Sequence, residues 1–172
     1  MKLGFAGTVR GMTDAQLAAF KSWIEPIAGQ VAEFRSGGCI GADEHATAIV
    51  CETTAAQIIL HRQNRKKNES AKCVAVAAST FTPPAKPDLR NAALVDAVDV
   101  MVLAPRRRGL DQNGGTFGAL RYAKWRGKPL VIIWPDGEVE EHGQQKMNAG
   151  TARRQSKKQV PGILSGSPQQ SK

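Results

Sequence analysis

The chain has 172 residues, 41% of them apolar, which suits one domain of ordinary size with a real hydrophobic core. No run of about 18 apolar residues occurs, which argues against a membrane partner. The apolar stretch behind Met1 is too short for a secretory signal, so the expected location is cytoplasmic. The net charge is +9, but six cations (Lys146, Arg153, Arg154, Lys157, Lys158 and Lys172) fall in an acid-free stretch from Gly143 onward, so the charge describes a tail more than a body.

In chain order, residues 2–6 read as a strand buried on both faces, and Gly7 breaks it. Thr13 and Gln16 form a capping-box pattern, and Leu17, Phe20, Ile24 and Ile27 follow at helical spacing. Pro26 kinks or ends that helix. Residues 31–35 read as a second strand, Ser36 to Gly41 as a glycine-rich turn, 42–53 as a second helix and 57–60 as a third strand. A polar, basic loop over 61–72 follows, then a short apolar stretch at 74–77 and a proline-rich, non-helical stretch at 82–87. Residues 88–97 read as a third helix, 98–104 as a strand and 105–113 as a charged loop. Gly114-Gly115-Thr116 opens a fourth helix, closed by Gly127. The last strand, 130–134, is stopped by Pro135-Asp136-Gly137. From Gly143 the composition (Gln, Ser, Gly, Lys) predicts a disordered tail.

Strands alternating with helices predict an α/β fold: a Rossmann-like, open, mainly parallel sheet of about five to six strands with helices on both faces. The domain is expected over 1–142 and the basic tail over 143–172. Right-handed crossovers bring the carboxyl ends of the strands to one edge, where ligands of such sheets bind. Three glycine loops should meet there: Gly7-Thr8, the turn of Gly37, Gly38, Cys39 and Gly41, and Gly114-Gly115-Thr116. Glycine lets backbone amides approach a phosphate, and a helix starting behind each loop adds N–H groups and a positive dipole end. One such loop would be a tight turn and nothing more; three on one edge favour a site. Neither a GxxxxGK[ST] loop nor a GxGxxG after the first strand is present. The three cysteines, Cys39, Cys51 and Cys73, lack metal-ligand spacing, so reduced thiols, no metal site and no resident cofactor are expected.

These segments, from Gly7 to Thr13, Ser36 to Asp43, Lys86 to Asn91 and Gly114 to Ala123, resemble the SLOG superfamily, the Rossmann-like group of DNA-processing protein A and the Lonely-guy proteins. The likeness spans roughly residues 2–137 and is nearest to small bacterial and phage members with a Gly-Thr-Arg start. It implies a nucleotide-type ligand near Gly7, Thr8, Gly38, Gly41, Gly115 and Thr116, and pairing into homodimers. In relatives Arg directly follows Gly-Thr; here Val9 intervenes and Arg10 is the candidate for that role. The basic loop at 62–67 lacks the prolines that often follow the histidine in relatives. The Lonely-guy phosphoribohydrolase motif has a glutamate three residues after Gly-Thr, and here that position is Ala119. Losing that carboxylate argues against that reaction.

Asp43 and Glu44 are the remaining candidates for an acid or base, although anchoring of the second helix is the preferred reading of Asp43. Arg90, with Asn91 beside it, is suited to grip a phosphate bidentately, against an alternative of surface pairing with Asp88 or Asp96. Arg106-Arg107-Arg108 follows a strand end and suits polyphosphate or nucleic acid. His45 and His61 are isolated, and only His61 stands at a strand end. Trp125 and Trp134 read as core or interface, and with few aromatics no stacking platform for bases is visible. The reading is a domain that senses or sequesters a nucleotide or nucleotide-derived phosphate compound. The alternatives are a hydrolase of an N-glycosidic or phosphate bond in such a compound, or nucleic-acid binding through the basic tail and loops.

Overall fold

The structure, a computed structural model, describes residues 1–64, 80–109 and 114–143. Cys73, the basic loop beyond residue 64, the stretch at 74–77 and the tail beyond Gly143 lie outside the described residues.

Seven strands form one sheet: β1 (Lys2–Gly7), β2 (Glu33–Ser36), β3 (Gln57–Leu60), β4 (Thr80–Phe81), β5 (Val100–Ala104), β6 (Leu130–Ile133) and β7 (Val139–His142). Their order is β4-β3-β2-β1-β5-β6-β7, and every neighbouring pair is parallel except β6 with β7. Four α-helices, α1 (Asp14–Ile24), α2 (Ala42–Thr53), α3 (Pro87–Asp96) and α4 (Gly115–Trp125), cover the two faces.

The strand period sorts the core into two clusters. Leu3 and Phe5 of β1, with Val100 and Val102 of β5, pack against Phe20 and Ile24 of α1 and Ala46 and Val50 of α2. The intervening Met101 and Leu103 face the other way, onto Leu94 and Val95 of α3 and Leu120 and Ala123 of α4. Helices thus change faces between β1 and β5, where the strand order also reverses. That reversal leaves a crevice above the carboxyl ends of β1 and β5.

Local signals act as expected on α1. Thr13 Oγ1 accepts from Gln16 N at 3.1 Å and Gln16 Oε1 accepts from Thr13 N at 3.0 Å. The buried Gln16 amide also donates to the carbonyls of Pro105 and Ile133, so the cap ties α1 to the ends of β5 and β6. The α-helix ends at Ile24, and the chain continues as a 3-10 turn (Glu25–Gln30) with Pro26 in its first turn, where no N–H is needed.

Two expectations are corrected. Seven strands replace five or six, because β4 is only two residues long and β7 is polar. The last strand is β7 rather than β6: the turn at Pro135-Asp136-Gly137 closes a hairpin, and Val-Glu-Glu-His hides from a hydrophobic reading because an edge strand is half exposed. Of the two tryptophans read as core or interface, Trp134 is core and Trp125 is 75% exposed, since it ends α4 on the side away from Leu120 and Ala123.

Candidate functional site

A cleft of about 450 Å³ opens at the carboxyl edge of the sheet. Its walls come from six places far apart in the chain. Ala6 to Val9 follow β1, Cys39 follows β2 and Gln63 follows β3. Pro87, Arg90 and Asn91 begin α3, Arg106 and Arg107 follow β5, and Gly114 to Phe117 open α4. Of the residues expected at the site, Gly7, Thr8, Cys39, Arg90, Asn91, Gly114, Gly115 and Thr116 share this cleft.

The others do not line it, and the geometry gives them other work. Asp43 is 3% exposed; its Oδ1 accepts from Gly7 N at 3.1 Å and its Oδ2 from Cys39 N at 3.3 Å, with the Gly37 N–H also bonded to it. One carboxylate therefore clamps the loop after β1 to the loop after β2. Burial pushes the Asp43 carboxyl up to about 6, against the pull of those N–H groups and of the nearby Arg90 charge. Glu44 is exposed, and its carboxylate accepts from Gly41 N at 3.4 Å, closing the first turn of α2. Gly38 and Gly41 hold positive φ in the supporting turn. Arg10 is exposed, with its N–H on Thr8 Oγ1, and is not part of the lining. His45 Nδ1 accepts from Met12 N.

Arg90 is the unusual member. It is 9% exposed, its Nη2 stands 3.9 Å from Cys39 Sγ, and its Nε is buried with no hydrogen-bond partner. It pairs with neither Asp88 nor Asp96; Asp96 takes Arg126 instead. Gly37 makes room for it: a Cβ there would lie 1.9 Å from Arg90 Nη1 and 2.8 Å from Asp43 Oδ2. His61, buried beside this group, contacts Arg35 Nη1 through Nε2 at 3.4 Å. Burial, joined by the charges of Arg35 and Arg90, holds its imidazole down at about 4, so the ring is neutral at pH 7.

The N-terminus of α4 faces the same cleft. Gly114 and Gly115 are exposed, and among the described residues no side chain caps the helix. Thr116 Oγ1 donates to Gly7 O at 2.9 Å and Asn91 Nδ2 to Gly115 O at 3.2 Å, so α4, β1 and α3 are stitched together. These bonds use side chains of α3 and α4 on backbone carbonyls and take none of the first N–H groups of α4. Ala119 is fully buried in the α3–α4 core and does not line the cleft.

Val9, Gln63, Pro87 and Phe117 also line the cleft and were not singled out from the sequence. Pro87 at the first turn of α3 carried a signal, since a helix start beside Arg90 puts it on the ligand edge. Gln63 carried none. Arg106 and Arg107 line the rim, whereas Arg108 turns away to Asp136 and Glu138 and stacks over Trp134.

No family model and no curated protein matches the chain. Solved structures do. DNA processing protein A from Helicobacter pylori, described for its single-stranded DNA binding mode, matches with a TM-score of 0.56 at 19% identity, over 86% of this chain and 67% of that one. The molybdenum cofactor binding protein from the phototrophic bacterium Rippkaea orientalis matches at 0.54 and 20%, over 76% and 74%. The structural-genomics target TM1055 matches at 0.54 and 17%, over 79% and 75%. The chain shares a Rossmann-like α/β fold with these structures, and at these identities the likeness is one of fold.

Proposed function

We propose that the cleft binds a nucleotide or nucleotide-derived phosphate compound, and that the protein acts as a sensor or sequestering domain for it. The observation that carries this reading is the pairing of Arg90 with the start of α4. A guanidinium nine-tenths buried, with Nε unpartnered and no ion pair among the described residues, lines the same cleft as an uncapped helix N-terminus. A buried charge without a partner is costly, and an anion seated between these two groups removes the cost. A volume of about 450 Å³ lies in the range of small-molecule sites. Fold neighbours described for binding a molybdenum cofactor and single-stranded DNA support a ligand-binding use of this fold. Binding is favoured over hydrolysis because neither Asp43 nor Glu44 lines the cleft.

Calorimetry against mono-, di- and cyclic nucleotides and ADP-ribose derivatives tests the proposal. At least one member should bind, and Arg90→Met should weaken it about a hundredfold, in line with the loss of a charge-assisted contact in a desolvated site. Absence of heat from every member would count against it.

A further inference from the structure

The described residues that line the cleft include three arginines, Arg90, Arg106 and Arg107, and no carboxylate. They stand at two levels. Arg90 is buried at the start of α3, whereas Arg106 and Arg107 are exposed directly after β5. The next residue shows what this loop does with an arginine meant for structure: Arg108 pairs with both Asp136 and Glu138. Arg106 has no ion pair with any described residue, although it lines the cleft.

A single phosphate carries a charge of about −1.5 to −2 at pH 7. Arg90 and the partial charge at the start of α4, roughly +0.5, come close to matching it. Arg106 at the rim is surplus to a monophosphate. Resting on the nucleotide reading above, we infer that the ligand carries two or more linked phosphates, a nucleoside diphosphate, triphosphate or similar pyrophosphate compound. One phosphoryl group sits between Arg90 and the first N–H groups of α4, and a second meets Arg106 at the rim. A pyrophosphate spans two such levels, whereas a monophosphate or a cyclic monophosphate reaches only one.

The test is calorimetry on the full chain, without divalent cations, using the mono-, di- and triphosphates of the four common ribonucleosides. A single-stranded oligonucleotide serves as competitor. For the nucleoside that binds, the diphosphate should bind at least tenfold more tightly than the monophosphate, with a steeper loss of affinity in salt. Arg106→Ala, at an exposed position, should erase most of that tenfold advantage while weakening the monophosphate less than twofold. Lys124→Ala, which removes an equal charge from α4 away from the cleft, should leave the advantage intact. Equal affinity for mono- and diphosphate overturns the inference and leaves the nucleotide site standing. So does an Arg106→Ala variant that weakens both alike, or an oligonucleotide that binds more tightly than the triphosphate. No binding by any nucleotide overturns the site and the inference together.

Discussion

Arg90 and Arg108 flank the same sheet edge and are treated in opposite ways. Arg108 is about half exposed, bonded to two carboxylates and laid over the Trp134 ring, so its charge and hydrogen-bonding capacity are spent within the β6–β7 hairpin. Arg90 is buried and touches a thiol, and among the described residues it has no carboxylate partner and its Nε has no acceptor. The neighbouring carboxylate, Asp43, spends its two oxygens on backbone N–H groups. One arginine is a strut, and the other, on the proposed function, is the charge that an anionic ligand would pair.

The strongest way to break this contrast is Arg90→Met. Beyond the hundredfold loss of ligand affinity, the ligand-free variant should melt no lower than wild type, because a buried charge without an ion pair has been replaced by an apolar side chain. A clear fall in Tm would make Arg90 a strut like Arg108. Asp43→Ala comes next. Three backbone N–H groups in a buried loop pair lose their acceptor, and urea unfolding should show a loss of about 2 kcal/mol. Asp43→Asn, which keeps an acceptor, should lose less.

The same neighbourhood predicts two opposed pH dependences. The Asp43 carboxyl is held at about 6 in the folded chain against an ordinary 3.8, so its contribution grows as pH falls from about 6 toward 3.8. The His61 ring is held at about 4 against 6.5, so its contribution is lost as pH falls from 6.5 toward 4. In wild type the two offset. In His61→Gln, stability should rise on acidification through this window, and in Asp43→Asn it should fall. Each slope amounts to about 3 kcal/mol across the window. Parallel slopes in the two variants would remove the proposed burial of both groups. The smallest effect belongs to Arg108→Ala: a slight drop in Tm that vanishes in high salt, with ligand affinity unchanged.

Much of the architecture was legible because its signals are local. The capping box at Thr13 and Gln16, the short apolar runs of β1 and β5, and the glycine turns each act within a few residues. Strand β7 was not legible, because an exposed polar edge strand has no hydrophobic period. At the site, Gly7, Thr8, Gly115 and Thr116 could be found from loop chemistry, whereas the separation of Arg106 from Arg108 could not. Nothing in three consecutive arginines says which one meets Asp136 and Glu138 across the hairpin.

The glycine loops and the α/β alternation are properties of the sequence by itself, since turns, caps and strand periods depend on near neighbours. The assignment of charges was decided only by the tertiary structure. The reversal of strand order between β1 and β5 brings the start of α3 over Gly37, where a side chain on the glycine would block it, and so buries the Arg90 guanidinium away from Asp88 and Asp96. Ion pairing and desolvation depend on distance in space rather than along the chain, and that distance exists only once the sheet has formed.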